Sequence, residues 1–267
     1  MEFFEIHDQP WFPADLRNLV TDGLQSFWRL GNSYKPIVPP LRDALANAGT
    51  KEILDLCSGG GGPWFQLVRD LEKENYRICV CLTDVYPNQQ AFQKATSGSN
   101  SIDFDSRSVS AIEVLPEIHG FRTIFSSFHH FPPDDAQRIL CSAMESGRGI
   151  AIFETARRNL KTMSVVCFLP FLILLLTPWI RPFRWSRLLL TYLIPIVPFV
   201  LCINGLMSCL RSYSYQELSE MVGNLTDKSY CWKVGSQDDG FLPITLLIGY
   251  PMPKLAKPRS SSPQTLR

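Results

Sequence analysis

The sequence predicts an α/β fold: an open, mostly parallel sheet flanked by helices, with a nucleotide held at the carboxyl edge of the strands. Three observations carry this reading. Ile53-Leu54-Asp55-Leu56 is a short apolar run, and the stretch from Cys57 to Gly62 that follows has so little side chain that a ligand can approach the backbone closely. A second apolar run from Ile78 ends in Thr83-Asp84, about 20 residues past the glycines, where nucleotide-binding α/β folds place an acid for ribose hydroxyls. Further apolar runs, Arg122 to Phe128 and Gly149 to Glu154, alternate with helical patterns, as a parallel sheet requires.

Taken in order, Pro13 to Leu30 reads as an amphipathic helix, because Leu16, Leu19, Val20, Leu24, Phe27 and Trp28 recur at helical spacing. It is expected to cover the core or the ligand mouth. The loop from Gly31 to Pro40 carries Tyr34 and Lys35, read chiefly as a solvated linker within reach of a ligand, and a short helix to Ala48 leads into the first strand. Pro63 starts the helix behind the glycine loop, with Trp64, Leu67, Val68 and Leu71 on its buried face. After Asp84 a helix runs to about Lys94, and Ser101 to Asp105 forms a third strand; Asp103, Asp105 and Glu113 are the acids near an adenine position, and the pattern does not choose among them. The fourth strand runs into Ser126-Ser127-Phe128-His129-His130, and Pro132-Pro133-Asp134-Asp135 opens the next helix. A neutral imidazole at a strand's carboxyl end can take a proton or orient a hydroxyl, so His129 leads the candidate bases, followed by His130 and then Glu154 at the end of the fifth strand.

Composition bounds the function. With 26 basic and 25 acidic residues the net charge is +1, so nothing global argues for nucleic acid. The 8 cysteines are scattered through apolar segments and lack zinc-finger spacing, so they read as reduced thiols and no metal is expected. The N-terminus, MEFFEIHDQP, lacks the regions of a signal peptide, which places the chain on the cytoplasmic side.

DLCSGGGG, LTD, the SSFHHF strand end and GIAIFE, in that order, resemble the class I S-adenosylmethionine-dependent methyltransferases. The resemblance covers most of residues 50 to 250, since Tyr213 to Leu218 is similar to the helix start after strand five and Tyr230 to Val234 with Ile244 to Gly249 to the closing strand pair. It implies a Rossmann-like sheet of seven strands, S-adenosyl-L-methionine as cofactor, and a methyltransferase domain over 51–160 and 211–250 behind a helical cap at 1–50. Carried over by position, it implies Asp55, Cys57, Gly59, Gly60 and Gly61 at the methionine end, Asp84 at the ribose, and Ser126 and Ser127 with His129 beside the transferred methyl. Cys57 stands where the family usually has its first glycine, and the usual acid after strand three has no single counterpart.

The segment 161–210 is the most unusual part of the chain. From Thr155 to Gln216 there is no acidic residue, and two apolar runs, Thr162 to Ile180 and Leu188 to Leu210, flank Arg181-Pro182-Phe183-Arg184-Trp185-Ser186-Arg187. Either run is long enough to span a bilayer, yet full spanning would put these arginines outside, against the positive-inside rule, and Pro170, Pro178, Pro195 and Pro198 interrupt both. A helical hairpin dipping into or lying along one leaflet is the preferred reading; spanning, or an apolar cap packed on the domain, are the alternatives. The tail from Pro251 to Arg267 reads as disordered. The sequence is therefore read as a membrane-associated methyltransferase acting on a hydrophobic small-molecule or lipid-like acceptor. A non-catalytic membrane-associated scaffold is the rival from another class, and a nicotinamide oxidoreductase ranks third because its glycine spacing differs.

Overall fold

The computed structural model describes residues 5–252 except 7, 8, 10, 31, 181, 182, 226 and 241. Pro251 ends the last strand rather than opening the tail, and residues 253–267 lie outside the described residues.

The chain begins with α1 (Ala14–Leu30) and α2 (Val38–Ala48), which ends on Gly49 in the left-handed region at φ 67°. Then follow β1 (Glu52–Leu56), α3 (Trp64–Lys73), β2 (Cys79–Asp84), α4 (Gln89–Thr96), β3 (Ile102–Ser108), β4 (Phe121–Phe125), α5 (Pro133–Glu145) and β5 (Ile150–Glu154). Local chemistry sets several of these boundaries. The Asn88 side chain accepts from Ala91 N at 3.1 Å and so caps α4, as an N-cap asparagine should. The fourth strand is shorter than the sequence implied: it stops at Phe125, and Phe128–His130 form a tight 3-10 turn.

The insertion comprises α6 (Leu160–Leu176), a short α7 (Trp185–Leu188) continued by a π turn over Leu189–Leu193, and α8 (Ile196–Arg211). Pro170 sits inside α6 without ending it, whereas Pro195 marks a 75° bend between the π turn and α8. The chain then returns through α9 (Tyr215–Gly223), begun by a reciprocal Ser214–Glu217 capping box, to β6 (Tyr230–Gln237) and β7 (Ile244–Pro251).

The strands form one sheet in the order β3-β2-β1-β4-β5-β7-β6. β1 lies parallel to β2 and β4, β2 to β3, and β4 to β5, while β7 runs antiparallel to β5 and β6. The direction of winding reverses between β1 and β4, and the crevice outside their carboxyl ends is where open α/β sheets bind ligands. Alternation along each strand supplies two core layers: Ile53, Phe125 and Phe153 face α2 and α3, and Leu54, Ile124 and Ile152 face α5 and α9.

A third apolar cluster lies apart from the sheet. Leu19, Val20 and Phe27 of α1 pack with Leu169 and Ile173 of α6 and Val200 and Leu201 of α8. Each such side chain contributes about 1.5–3 kcal/mol on burial, so α1 and the insertion stabilise each other. Two polar ties reinforce this: Arg187 pairs with Asp22 of α1, and Asn204 Oδ1 of α8 accepts from Ile6 N at 2.9 Å.

Gly120 enters β4 at φ 136°, and a Cβ there would stand 2.9 Å from the Leu54 backbone nitrogen. Gly120→Ala is therefore expected to lower stability by about 1–3 kcal/mol, read as a fall in the urea midpoint at unchanged m value. An unchanged midpoint would show that the β1–β4 junction tolerates a side chain.

Candidate active site

The glycine loop is shaped by a buried carboxylate beneath it. Asp55 ends almost wholly buried in β1; Oδ2 accepts from Ser58 Oγ and Oδ1 from Thr123 Oγ1, each at 2.6 Å. Its backbone oxygen accepts from Thr83 Oγ1 at 2.7 Å. Asp55 thus staples β1 to β2, β4 and the start of the loop, and it does not line the cavity above. This corrects the expectation of a direct ligand contact, and the reason is register: Asp55 sits opposite Thr123 inside the sheet, with hydroxyls on both sides. Burial pushes its carboxyl up to about 6, against the lowering effect of the Ser58 and Thr123 hydrogen bonds.

Cys57 takes φ 57°, so the residue standing where a glycine is usual adopts a glycine-like conformation. Gly59, Gly61 and Gly62 also have positive φ, and open space stands in front of Gly59. Gly59 N donates to Asp84 Oδ2 at 2.8 Å, while Asp84 Oδ1 accepts from Tyr86 N at 2.8 Å. Asp84 thus ties the glycine loop to the end of β2 and borders the cavity there. Helix α1 lies directly over the loop: a Cβ on Gly60 would fall 2.3 Å from Gln25 Nε2 and 3.0 Å from Thr21 Cγ2.

Across the switch point, β4 delivers Ser126 in the left-handed region at φ 44°. Its Oγ bonds the Tyr34 hydroxyl at 2.7 Å and Thr155 Oγ1 at 2.8 Å, joining the interhelical loop to two strand ends. Tyr34 is buried, so the loop read chiefly as a solvated linker is part of the site.

His129 lies between two carboxylates. Its Nδ1 is 2.6 Å from Glu154 Oε2, its Nε2 is 3.1 Å from Glu5 Oε1, and all three residues are buried. Glu154 Oε1 also accepts from Phe128 N at 2.6 Å, and Ser208 Oγ of α8 donates to Glu5 Oε1 at 2.6 Å. Burial alone would lower the pKa of His129, but the charges and hydrogen bonds of Glu154 and Glu5 override it and raise it to about 10. Both ring nitrogens face carboxylates, so the geometry presents neither of them to an acceptor as the general base that the sequence suggested. Glu154 is likewise turned away from the cavity, committed to the Phe128 amide and to His129. His130 lies on the cavity side, its Nε2 3.5 Å from Glu5 Oε1 and its backbone oxygen accepting from Arg211.

These elements enclose a cavity of about 1000 Å³. Cys57, Gly59, Gly60, Asp84, Ser126, Ser127, His129 and His130 border it; Asp55, Gly61 and Glu154 do not. Of the acids considered for adenine, Asp105 is paired with Arg107 and Glu113 with Arg138, and the cavity is bordered near the end of β3 by Val109, Ala111 and Ile112 instead. At its other end the wall is apolar, formed by Val165, Val166 and Leu169 of α6 with Leu201 of α8. Sequence reasoning missed Glu5, Thr155 and Ser208, whose partners are distant in the chain; Glu5 meets His129 across 124 positions.

No family model and no curated protein matches this sequence. Solved structures do. The plantazolicin methyltransferase BpumL, in complex with SAH, superposes with a TM-score of 0.58 at 10% identity over 92% of this chain and 94% of its own. NcsB1, an O-methyltransferase from neocarzinostatin biosynthesis in complex with S-adenosylmethionine and 2-hydroxy-5-methyl naphthoic acid, gives 0.51 at 12% identity over 88% of this chain and 58% of its own. The chain therefore has the Rossmann-like methyltransferase fold, a seven-stranded and mostly parallel sheet with flanking helices, as the sequence led one to expect.

Because the folded-state pKa of Asp55 is raised, its contribution is present below about pH 4 and lost as pH rises through about 6. The stability difference between the parent and Asp55→Asn is expected to move against the parent by about 3 kcal/mol between those limits, measured by urea unfolding across pH 4 to 7. A difference that stays constant with pH would contradict the buried carboxylate.

Proposed function

We propose that this protein transfers a methyl group from S-adenosylmethionine to an apolar small-molecule acceptor that it draws from a membrane surface. The observation that carries this reading is the continuity of the cavity, polar at Gly59 and Asp84 and apolar where α6 and α8 close it. The residues fit the cofactor: space in front of Gly59 admits a ligand against the loop backbone, and Asp84 borders the same cavity at the end of the second strand, where nucleotide-binding α/β folds place an acid for ribose hydroxyls. S-Adenosylmethionine, when bound, supplies an electrophilic methyl on a cationic sulfur. The SAH and S-adenosylmethionine complexes of the two structural neighbours support the same cofactor.

The chain's own part is alignment and exclusion of water. Thr21 and Gln25 of α1 roof the loop, the Tyr34–Ser126–Thr155 hydroxyl chain fixes the floor beside β4, and the apolar wall desolvates the acceptor. Holding two reactants in line can lower a barrier by about 7–11 kcal/mol, which direct displacement can use without covalent help. His129 keeps the floor rigid as a positioning residue.

The membrane part rests on the insertion. The segment Leu160–Trp179 is long and apolar enough to cross a bilayer, with mean hydropathy 2.1, yet only 22% of its apolar window is buried, unlike the core helix of a soluble protein. Phe168, Phe171, Leu175, Trp179, Trp185 and Phe199 are exposed together on the insertion. With α8 bent away at Pro195, we infer a hairpin lying along one leaflet, tryptophans at headgroup depth and the cavity mouth beside the lipid.

Calorimetric titration of the detergent-solubilised protein with S-adenosylmethionine is expected to give saturable binding, weakened at least about tenfold in Asp84→Ala. A well-folded parent that binds none would overturn the enzymatic reading in favour of a scaffold. Separately, Trp179→Ser with Trp185→Ser is expected to lower partitioning onto anionic vesicles by about tenfold or more in a flotation assay. Equal flotation of parent and variant would remove the insertion from any membrane role.

A further inference from the structure

We propose that Glu5, His129 and His130 form a binding site for a divalent d-block cation of the zinc type, with its open coordination position turned to the cavity. The spacing is that of ligands around a common centre. Glu5 Oε1 is 3.1 Å from His129 Nε2 and 3.5 Å from His130 Nε2. One ligand atom from each of the three residues can be chosen so that all lie within 4.8 Å of one another. Around a tetrahedral zinc with bonds of about 2.0–2.1 Å, neighbouring ligand atoms are about 3.3 Å apart. Both separations from Glu5 lie close to that value, and the ligand nitrogens of the two histidines lie within 4.8 Å of each other.

The support around the ligands is also that of a metal site. A histidine that binds a metal through one nitrogen usually gives the other to a carboxylate, which fixes its orientation, and Glu154 Oε2 stands 2.6 Å from His129 Nδ1. Ser208 Oγ orients the Glu5 carboxylate from α8 at 2.6 Å. Binding forms a bond from the cation to His129 Nε2, and a proton carried by that nitrogen goes to solvent. Two imidazoles and one carboxylate suit zinc, copper or nickel better than magnesium or calcium. Three protein ligands with a fourth position open is the arrangement of a catalytic rather than a closed structural site. An acceptor hydroxyl reaching that position would lose its proton more readily; this last step rests on the methyl-transfer reading, while occupancy by the cation does not.

The test uses the full chain, stripped with chelator and titrated with Zn²⁺ by calorimetry and with Co²⁺ by visible absorption, in the absence of S-adenosylmethionine. One equivalent is expected, with a tetrahedral cobalt band. His130→Ala and Glu5→Gln, which leave His129 in place, are each expected to weaken Zn²⁺ binding at least about tenfold, and Glu154→Gln by about 10–100-fold through loss of the orienting carboxylate. No stoichiometric binding by the parent, or equal affinity in His130→Ala, overturns the site. Stoichiometric binding with these losses sustains it even in a protein that fails to bind S-adenosylmethionine, so the two readings fail separately.

Discussion

The arrangement of the whole site depends on one buried cluster, Glu5–His129–Glu154. Two carboxylates taken out of water cannot be left unpaired without a cost of about 3–5 kcal/mol, and His129 is what pairs them. Because Glu154 ends β5, His129 follows β4 and Glu5 lies ahead of α1, the cluster joins the sheet's carboxyl edge to the extreme end of the described chain. Ser208 brings α8 into the same network. The cap and the insertion are thus fastened at the point where the sheet presents its chemistry.

Everything else at the site follows from the reversal of strand order between β1 and β4. The reversal opens a crevice, and the glycine loop and the Ser126–His130 segment become its two sides. A sheet alone would leave this crevice open to water. Here α1 roofs the loop, and α6 and α8 close the far wall with apolar side chains. The same helices that complete the cavity carry exposed aromatic side chains, among them Phe168, Phe171 and Phe199.

Local signals made most of the sheet legible in the sequence. The glycine run, the acid-terminated second strand and the helix starts at Pro63, Asn88 and Pro133 are decided by nearest neighbours in the chain, and each appears where expected. The roles of Asp55, His129 and Glu154 were less legible, because they depend on what stands opposite. Asp55 carries the residue type expected of a ligand contact, but Thr123 and Ser58 claim both its oxygens. His129 carries the residue type expected of a base, but Glu154 and the sequence-distant Glu5 engage both of its ring nitrogens. Tyr34 shows the converse: its loop looked like a linker, and the hydroxyl became legible only once Ser126 was beside it. Proline was a divided guide, tolerated at Pro170 and decisive at Pro195.

The central claim is that the buried cluster holds cap and insertion to the sheet. Amide hydrogen exchange on chelator-treated parent and Glu5→Ala tests it most directly. The account expects α8 and α1 to exchange at least about tenfold faster in the variant while β1, β4 and β5 keep their protection. Unchanged protection in both helices would contradict it, and would mean that apolar packing alone fastens the cap.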